Sequence, residues 1–191
     1  MSEISKRWGV FSSKTILIAA VLAFFTSVGT ASAETTLEKI KRTGKTTVGT
    51  EAAFPPFEFI KDGKIVGYGK DILDYIIADL GVELNQLDLP WQGILPGVLA
   101  GKFDFVATSV SIRPERVVKY AYTVPIAEGT VWTMKRAGDD SINSIDDLAG
   151  KVVGTQLASG GEANSKEFEA NLKERGLGGY KALKLYTAYP E

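Results

Sequence analysis

Cysteine and histidine are both missing from this 191-residue chain. The first absence excludes disulfides and thiolate nucleophiles. The second excludes imidazole metal sites and histidine-based triads. Carboxylate catalysis remains open. A charge excess is missing too: 22 basic residues face 23 acidic ones, a net charge of -1. Nucleic-acid binding, which calls for a basic stripe, is therefore not expected. No apolar run reaches the roughly 18–20 residues that cross a bilayer. One short run, Thr15–Phe25, follows Lys6, Arg7 and Lys14 and precedes Ala31-Ser32-Ala33. A basic start, a short apolar stretch and an A-x-A site read as a secretory signal peptide, residues 1–33, cleaved after Ala33. A retained anchor is the other reading of the same residues.

What is present suits one globular unit or two small lobes, with 45% hydrophobic residues. Helical and strand patterns alternate, which predicts an α/β fold. Thr36 is placed to cap a short helix closed by Gly44. Lys45–Thr50 reads as a strand. Asp62-Gly63 is a two-residue hairpin signal between Glu58–Lys61 and Lys64–Tyr68. Asp71–Leu80 has helical spacing, Val82–Leu87 alternates, Gln92–Ala100 is a short apolar helix, and Phe103–Ala107 is the next strand. A second region opens near Gly129. It holds a strand-like Thr130–Lys135, a looser capping box at Ser144-Ile145-Asp146-Asp147, a strand at Lys151–Thr155, a helix at Glu162–Arg175 and a strand at Ala182–Tyr186. A lobe that starts there and stops at Glu191 has few strands, so a fragment is expected.

Three stretches carry chemistry. In ATSVSIRPER, residues 107–116, Pro114 suits the first position of a helix. Ser109 and Ser111 point the same way in an extended run. Arg116 sits one turn further on, and a guanidinium clasps a carboxylate with two charge-assisted bonds. Hydroxyls, helix-start amides and one arginine make a carboxylate receptor. A capped helix with a surface Arg116, paired to Glu115 or Asp104, accounts for the same spacing. Phe54-Pro55-Pro56-Phe57 is a stiff loop at a strand's carboxyl end, where open α/β sheets bind ligands. There Phe54 and Trp91 offer flat apolar faces and Glu51 a charge for an ammonium, or they are core aromatics and a solvated acid. Gln156–Glu162 is a strand-to-helix turn of small residues able to present amides and a hydroxyl. It lacks the phosphate-loop pattern, and an ordinary tight turn reads as well.

Together GTEAAFPPFEF (49–59), DGKIVGYGKDILDYIIADLGV (62–82), PWQGILPGVLAGKFDFVATSVSIRPERVVKYAYTVP (90–125) and SIDDLAGKVVGTQLASG (144–160) resemble the family 3 extracellular solute-binding proteins of amino-acid ABC transporters. The resemblance implies a periplasmic binding protein type II fold. Two α/β lobes are joined by a hinge: lobe 1 over 34–128 and a partial, incomplete lobe 2 over 129–191. It implies capture of a polar L-amino acid by hinge closure and delivery to an inner-membrane ABC permease. The protein would be a periplasmic monomer with no cofactor, no metal and no enzymatic activity. Ser109, Ser111 and Arg116 would hold the α-carboxylate, helped by Ser159 and Gly160. Phe54 and Trp91 would bracket the ligand, and Glu51 would meet the ammonium or a side chain. Where the family commonly has threonine this chain has Arg113, which either pairs with Glu115 or faces an anion as a second cation that favours an acidic or polar ligand. Val124-Pro125 stands where Pro-Tyr is usual. A cyclohexadienyl- or arogenate-type dehydratase, with Glu51 as acid, and the sensor domain of a membrane receptor are the alternatives on the same fold.

Overall fold

The computed structural model describes residues 33–188. The expected signal peptide, up to Ser32, lies outside them. Helix α1 spans Thr36–Thr43. Its cap falls on Thr35, one residue before the expected Thr36. The Thr35 hydroxyl accepts from the Glu38 N–H at 3.2 Å, and Glu38 accepts from the Thr35 N–H at 2.8 Å, a reciprocal capping box. Gly44, at φ 65°, ends the helix by donating to the Ile40 carbonyl at 2.9 Å.

Strand β1, Lys45–Thr50, follows at once, with Thr46, Val48 and Thr50 buried. A short antiparallel sheet comes next: β2, Ala53–Phe54; β3, Glu58–Lys61; β4, Lys64–Val66, in the order β2–β3–β4. Asp62 and Gly63 both take positive φ, the I′ geometry that the Asp-Gly pair predicts. Helix α2, Tyr68–Leu80, ends at a left-handed Gly81. Strand β5, Glu83–Asp88, helix α3, Trp91–Leu99, and strand β6, Phe105–Val106, complete the unit. The sheet order is β5–β1–β6, all parallel. The strand that is first in the chain is thus the middle one. Its carboxyl end is a topological switch point, the place where open sheets take ligands.

Val48, Leu73, Ile94 and Phe103 form the core here. The ring of Phe103 lies where side chains at Gly49 and Gly97 would be: an added Cβ would stand 2.7 and 2.6 Å from it. Those two glycines let α3 and β1 close on one aromatic.

Helix α4 is a single turn, Pro114–Val117, with Pro114 at its first position as expected. A 3₁₀ turn, Ile145–Leu148, opens with the Ser144–Asp147 capping box that the sequence predicts. Strands β7, Val152–Gln156, and β8, Ala182–Tyr186, pair in parallel, from Val152 opposite Ala182 to Gln156 opposite Tyr186. Helix α5, Gly160–Glu174, is the crossover, and its Leu172 is fully buried. The expected strand at Thr130–Lys135 is absent: these residues have no regular secondary structure and are exposed, and Trp132 is 81% accessible. A strand exists only where a neighbour takes its backbone donors and acceptors, and among the described residues this segment has none. The expected Phe103–Ala107 strand likewise shortens to two residues, the length over which β1 pairs with it.

Candidate ligand-binding site

The strand ends bring Glu51, Trp91 and the 107–116 run together. Arg116 is 9% exposed. Its Nη1 donates to the Ser111 carbonyl at 3.2 Å and its Nη2 to the Ala158 carbonyl at 3.4 Å. Its guanidinium lies 5.4 Å from the centroid of the Trp91 ring, a cation–π distance. Asp104, a sequence candidate for pairing with Arg116, is taken by Lys39 at 2.7 Å and by the Thr47 N–H at 2.9 Å. Arg116 is therefore not a surface residue, and among the described residues it forms no ion pair. A cavity of about 320 Å³ opens beside it, lined by Glu115, Ala158, Ser159, Glu162, Ala163 and Lys166. A larger hollow of about 560 Å³, between Ile145, Phe168 and Arg175, is lined by none of the ligand-binding candidates read from sequence.

The serines divide. Ser111 is exposed and gives its carbonyl to Arg116. Ser109 turns to a residue that the sequence reading missed, Glu58. The Ser109 N–H donates to Glu58 Oε1 at 2.6 Å, its hydroxyl to Oε2 at 3.1 Å, and the Thr108 hydroxyl to Oε1 at 2.5 Å. Glu58 lies between two phenylalanines in a strand whose alternation reads as a solvated acid between apolar neighbours. Gly69 makes room for it in the fold: a Cβ there would stand 2.7 Å from Glu58 Oε2.

Glu51, at the end of β1, is 7% exposed and accepts a short hydrogen bond from Gln156 Nε2 across the site. Burial raises its pKa above the ordinary 4.5. The Gln156 amide and the Trp91 N–H oppose that rise, and the nearby Glu58 and Asp88 carboxylates add to it. Asp88 itself accepts from the Ala52 N–H at 2.9 Å. Among the described residues neither Arg116 nor Glu51 has an opposite charge within ion-pair distance. Phe54 stands apart from this group. It stacks on Phe57 with centroids 5.6 Å apart and is partly exposed.

The second turn fills its own donors. The Ser159 hydroxyl accepts from the Glu162 N–H at 3.2 Å and donates to the Gln156 carbonyl at 2.7 Å. The Ala158 N–H goes to Glu162 Oε2 at 2.6 Å, with Ala158 at φ 60°. Gly160 faces the 107–116 run; a Cβ there would stand 3.6 Å from Arg113 Nη1 and 3.9 Å from the Ser111 hydroxyl. Arg113 donates from Nε to Glu115 at 2.6 Å and from Nη1 to Asn164 at 2.9 Å. Its charge is already answered, which removes the premise for an acidic ligand. Gln92, also missed, donates to the carbonyls of Leu157 and Thr187 at 3.3 and 3.1 Å.

A model of the bacterial extracellular solute-binding proteins, family 3, matches residues 46–179. The L-cystine-binding protein TcyJ of Escherichia coli (strain K12) is 32% identical over 145 residues, covering 75% of this chain and 54% of the relative. Among solved structures, an ancestral arginine-binding protein bound to glutamine is 34% identical, with a TM-score of 0.65 over 76% of this chain and 61% of its own. The ancestral amino acid-binding protein AncCDT-1, a precursor of cyclohexadienyl dehydratase, is 30% identical with a TM-score of 0.66, over 81% of this chain and 66% of that one. The chain spans about half the length of the curated relatives it matches, 54% for TcyJ.

Proposed function

The chain belongs to the bacterial extracellular solute-binding proteins of family 3, and on that footing we propose that it captures a polar L-amino acid for an ABC importer. The fold is the type II periplasmic binding architecture of the structural neighbours. One observation carries the reading. A buried guanidinium and a buried carboxylate, each without an opposite charge within ion-pair distance among the described residues, stand at one sheet end. Buried charges left uncompensated are costly, and a zwitterion repays both. Arg116 takes the ligand's carboxylate. Glu51 takes its ammonium or a cationic side-chain group, and Trp91 gives the ligand an apolar wall. Three carboxylates, Glu51, Glu58 and Asp88, cluster there, so the field favours a positively charged or neutral polar side chain over an acidic one. The relatives' names point to the same class: cystine, arginine and glutamine appear in them.

Closure follows from contacts between the 107–116 run and the 156–164 turn, and a ligand bridging both stabilises the closed form. Residues 34–128 act as the first lobe and the residues from 129 as part of the second. Ser111, Ser159 and Gly160 border the carboxylate position, and Phe54 the entrance. The protein works in the periplasm as a monomer and hands its ligand to an inner-membrane permease.

Calorimetric titration of the chain with L-arginine, L-glutamine, L-cystine and L-glutamate tests this. Saturable heat with one of the first three, and a weaker response to glutamate, is expected. Glutamate as the tightest ligand sinks the charge argument. AncCDT-1 keeps the dehydratase reading in view, although its own name is that of an amino-acid-binding protein. Incubation with prephenate or arogenate is expected to leave both acids intact.

A further inference from the structure

Glu58 is 2% exposed, the most deeply buried carboxylate near the site. The capture reading gives it a share in the local field but no contact with the ligand. Its surroundings supply a further task. The β6 ladder stops at Val106. The last backbone anchors beyond it are the Ala107 N–H on the Gly49 carbonyl at 2.9 Å and the Thr50 hydroxyl on the Ala107 carbonyl at 2.8 Å. From there to the α4 turn, the Ser111 carbonyl accepts from Arg116 and from the Tyr122 hydroxyl, and the Glu58 carboxylate grips the earlier part of the run, through the Thr108 hydroxyl, the Ser109 N–H and the Ser109 hydroxyl. Two of the Glu58 contacts are at 2.5 and 2.6 Å, the short range of charge-assisted bonds. Glu58 is itself boxed in. It stands on β3, and the start of α2 is tied to the preceding loop by the Gly69 N–H on the Phe57 carbonyl at 2.8 Å.

We propose that Glu58 is a positioning residue for ligand binding: its carboxylate occupies the donors of Thr108 and Ser109 as a bound anion would, and so sets the run that carries Arg116. This rests on the capture reading. Two consequences follow. Ser109 serves the ligand through Glu58 and does not touch it. A ligand carboxylate entering the site finds those donors taken and turns to Arg116, whose own anchor is the Ser111 carbonyl two residues further along the same run. A shift of the run moves that anchor, and charged recognition tolerates little displacement.

The test uses the full chain with Glu58→Gln, which keeps the shape and loses the charge. The probe is whichever of L-arginine, L-glutamine or L-cystine the unaltered chain binds tightest. Affinity is expected to fall by at least about tenfold, the worth of a charge-assisted bond. In the ligand-free state, the Arg116 Nε–H NMR resonance should move and its cross-peak to the Trp91 ring should weaken. A merely structural role would lower affinity with that resonance in place, and this outcome overturns the proposal, as does affinity within about twofold of the unaltered chain. Should Glu58→Gln fail to fold, the double variant Thr108→Val, Ser109→Ala cuts the same contacts from the other side and is read in the same two ways. An unaltered chain that gives no heat with any of the three amino acids defeats the capture reading instead, and this inference with it.

Discussion

Two turns in this chain leave the carboxyl end of a parallel strand and enter a helix, and both hand their donors to a carboxylate of the protein. They differ in where that carboxylate comes from. In the 156–162 turn it is Glu162, four residues past the Ala158 N–H it receives. In the 107–116 turn it is Glu58, some fifty residues back in the chain. The first turn is self-contained. The second exists only when the β3–β4 hairpin is in place, so its geometry reports on the whole sheet. That is a reason for Arg116, the proposed carboxylate-binding group, to sit on it: a turn braced from elsewhere is fixed against the rest of the site.

The largest effect that separates the turns is on binding. Replacing Arg116 with alanine removes the cation, bares the Trp91 face and leaves the Ser111 carbonyl to the Tyr122 hydroxyl at 3.4 Å. By analogy with truncated buried charge pairs, affinity for the bound amino acid should fall by about 2–5 kcal/mol, read by calorimetry. No residue of the 156–162 turn should approach that figure. A loss at Ser159 as large as that at Arg116 would put the carboxylate on the wrong turn.

The next comparison is between two serines. Ser109→Ala removes a hydroxyl bonded to a buried carboxylate, and should cost about 1.5–3 kcal/mol of stability in urea unfolding. Ser159→Ala removes a helix cap and should cost about 1 kcal/mol. The order matters more than the sizes. If the cap proves the costlier loss, Glu58 is satisfied by its other two donors and the long-range brace is weaker than its distances suggest.

The same contrast explains what could be read from sequence. Local devices were legible: the Ser144–Asp147 box, Pro114 at its helix start, and the Asp62-Gly63 hairpin all depend on residues within a few positions. So was the α/β alternation, because strand and helix periods are local patterns. Where two distant elements must meet, the sequence was silent or misleading. Thr130–Lys135 has strand composition but no neighbour to pair with. Glu58 looks solvated in an alternating strand, and only the approach of Thr108 and Ser109 makes it buried. Gln156 reads as the first residue of a turn, yet its amide closes on Glu51 from the far side of the site. Arg116 was found for its spacing from Ser109 and Ser111, but one of those serines serves another acid.

The remaining prediction concerns Glu51, just after β1, and its partner Gln156 in the second turn, and its sign decides more than its size. Burial raises the Glu51 pKa above 4.5, with Glu58 and Asp88 adding to the rise, and Gln156 and the Trp91 N–H opposing it. Between the ordinary value and the raised one, the folded chain holds a proton that the unfolded chain has lost. Stability from this group is thus fully present below the ordinary value and falls as pH rises through the window. Glu51→Gln does not titrate, keeps a carbonyl for the Gln156 amide, and should melt higher than the unaltered chain near neutral pH. The gap should close as pH drops toward 4.5. Binding should move the opposite way. A cationic ligand needs the ionised Glu51, so its affinity in the unaltered chain should climb with pH across the same window, and in Glu51→Gln it should be weak and flat. A variant that gains stability at neutral pH and keeps its affinity for L-arginine would mean that Glu51 pairs only with Gln156, and that the ligand's positive end rests elsewhere.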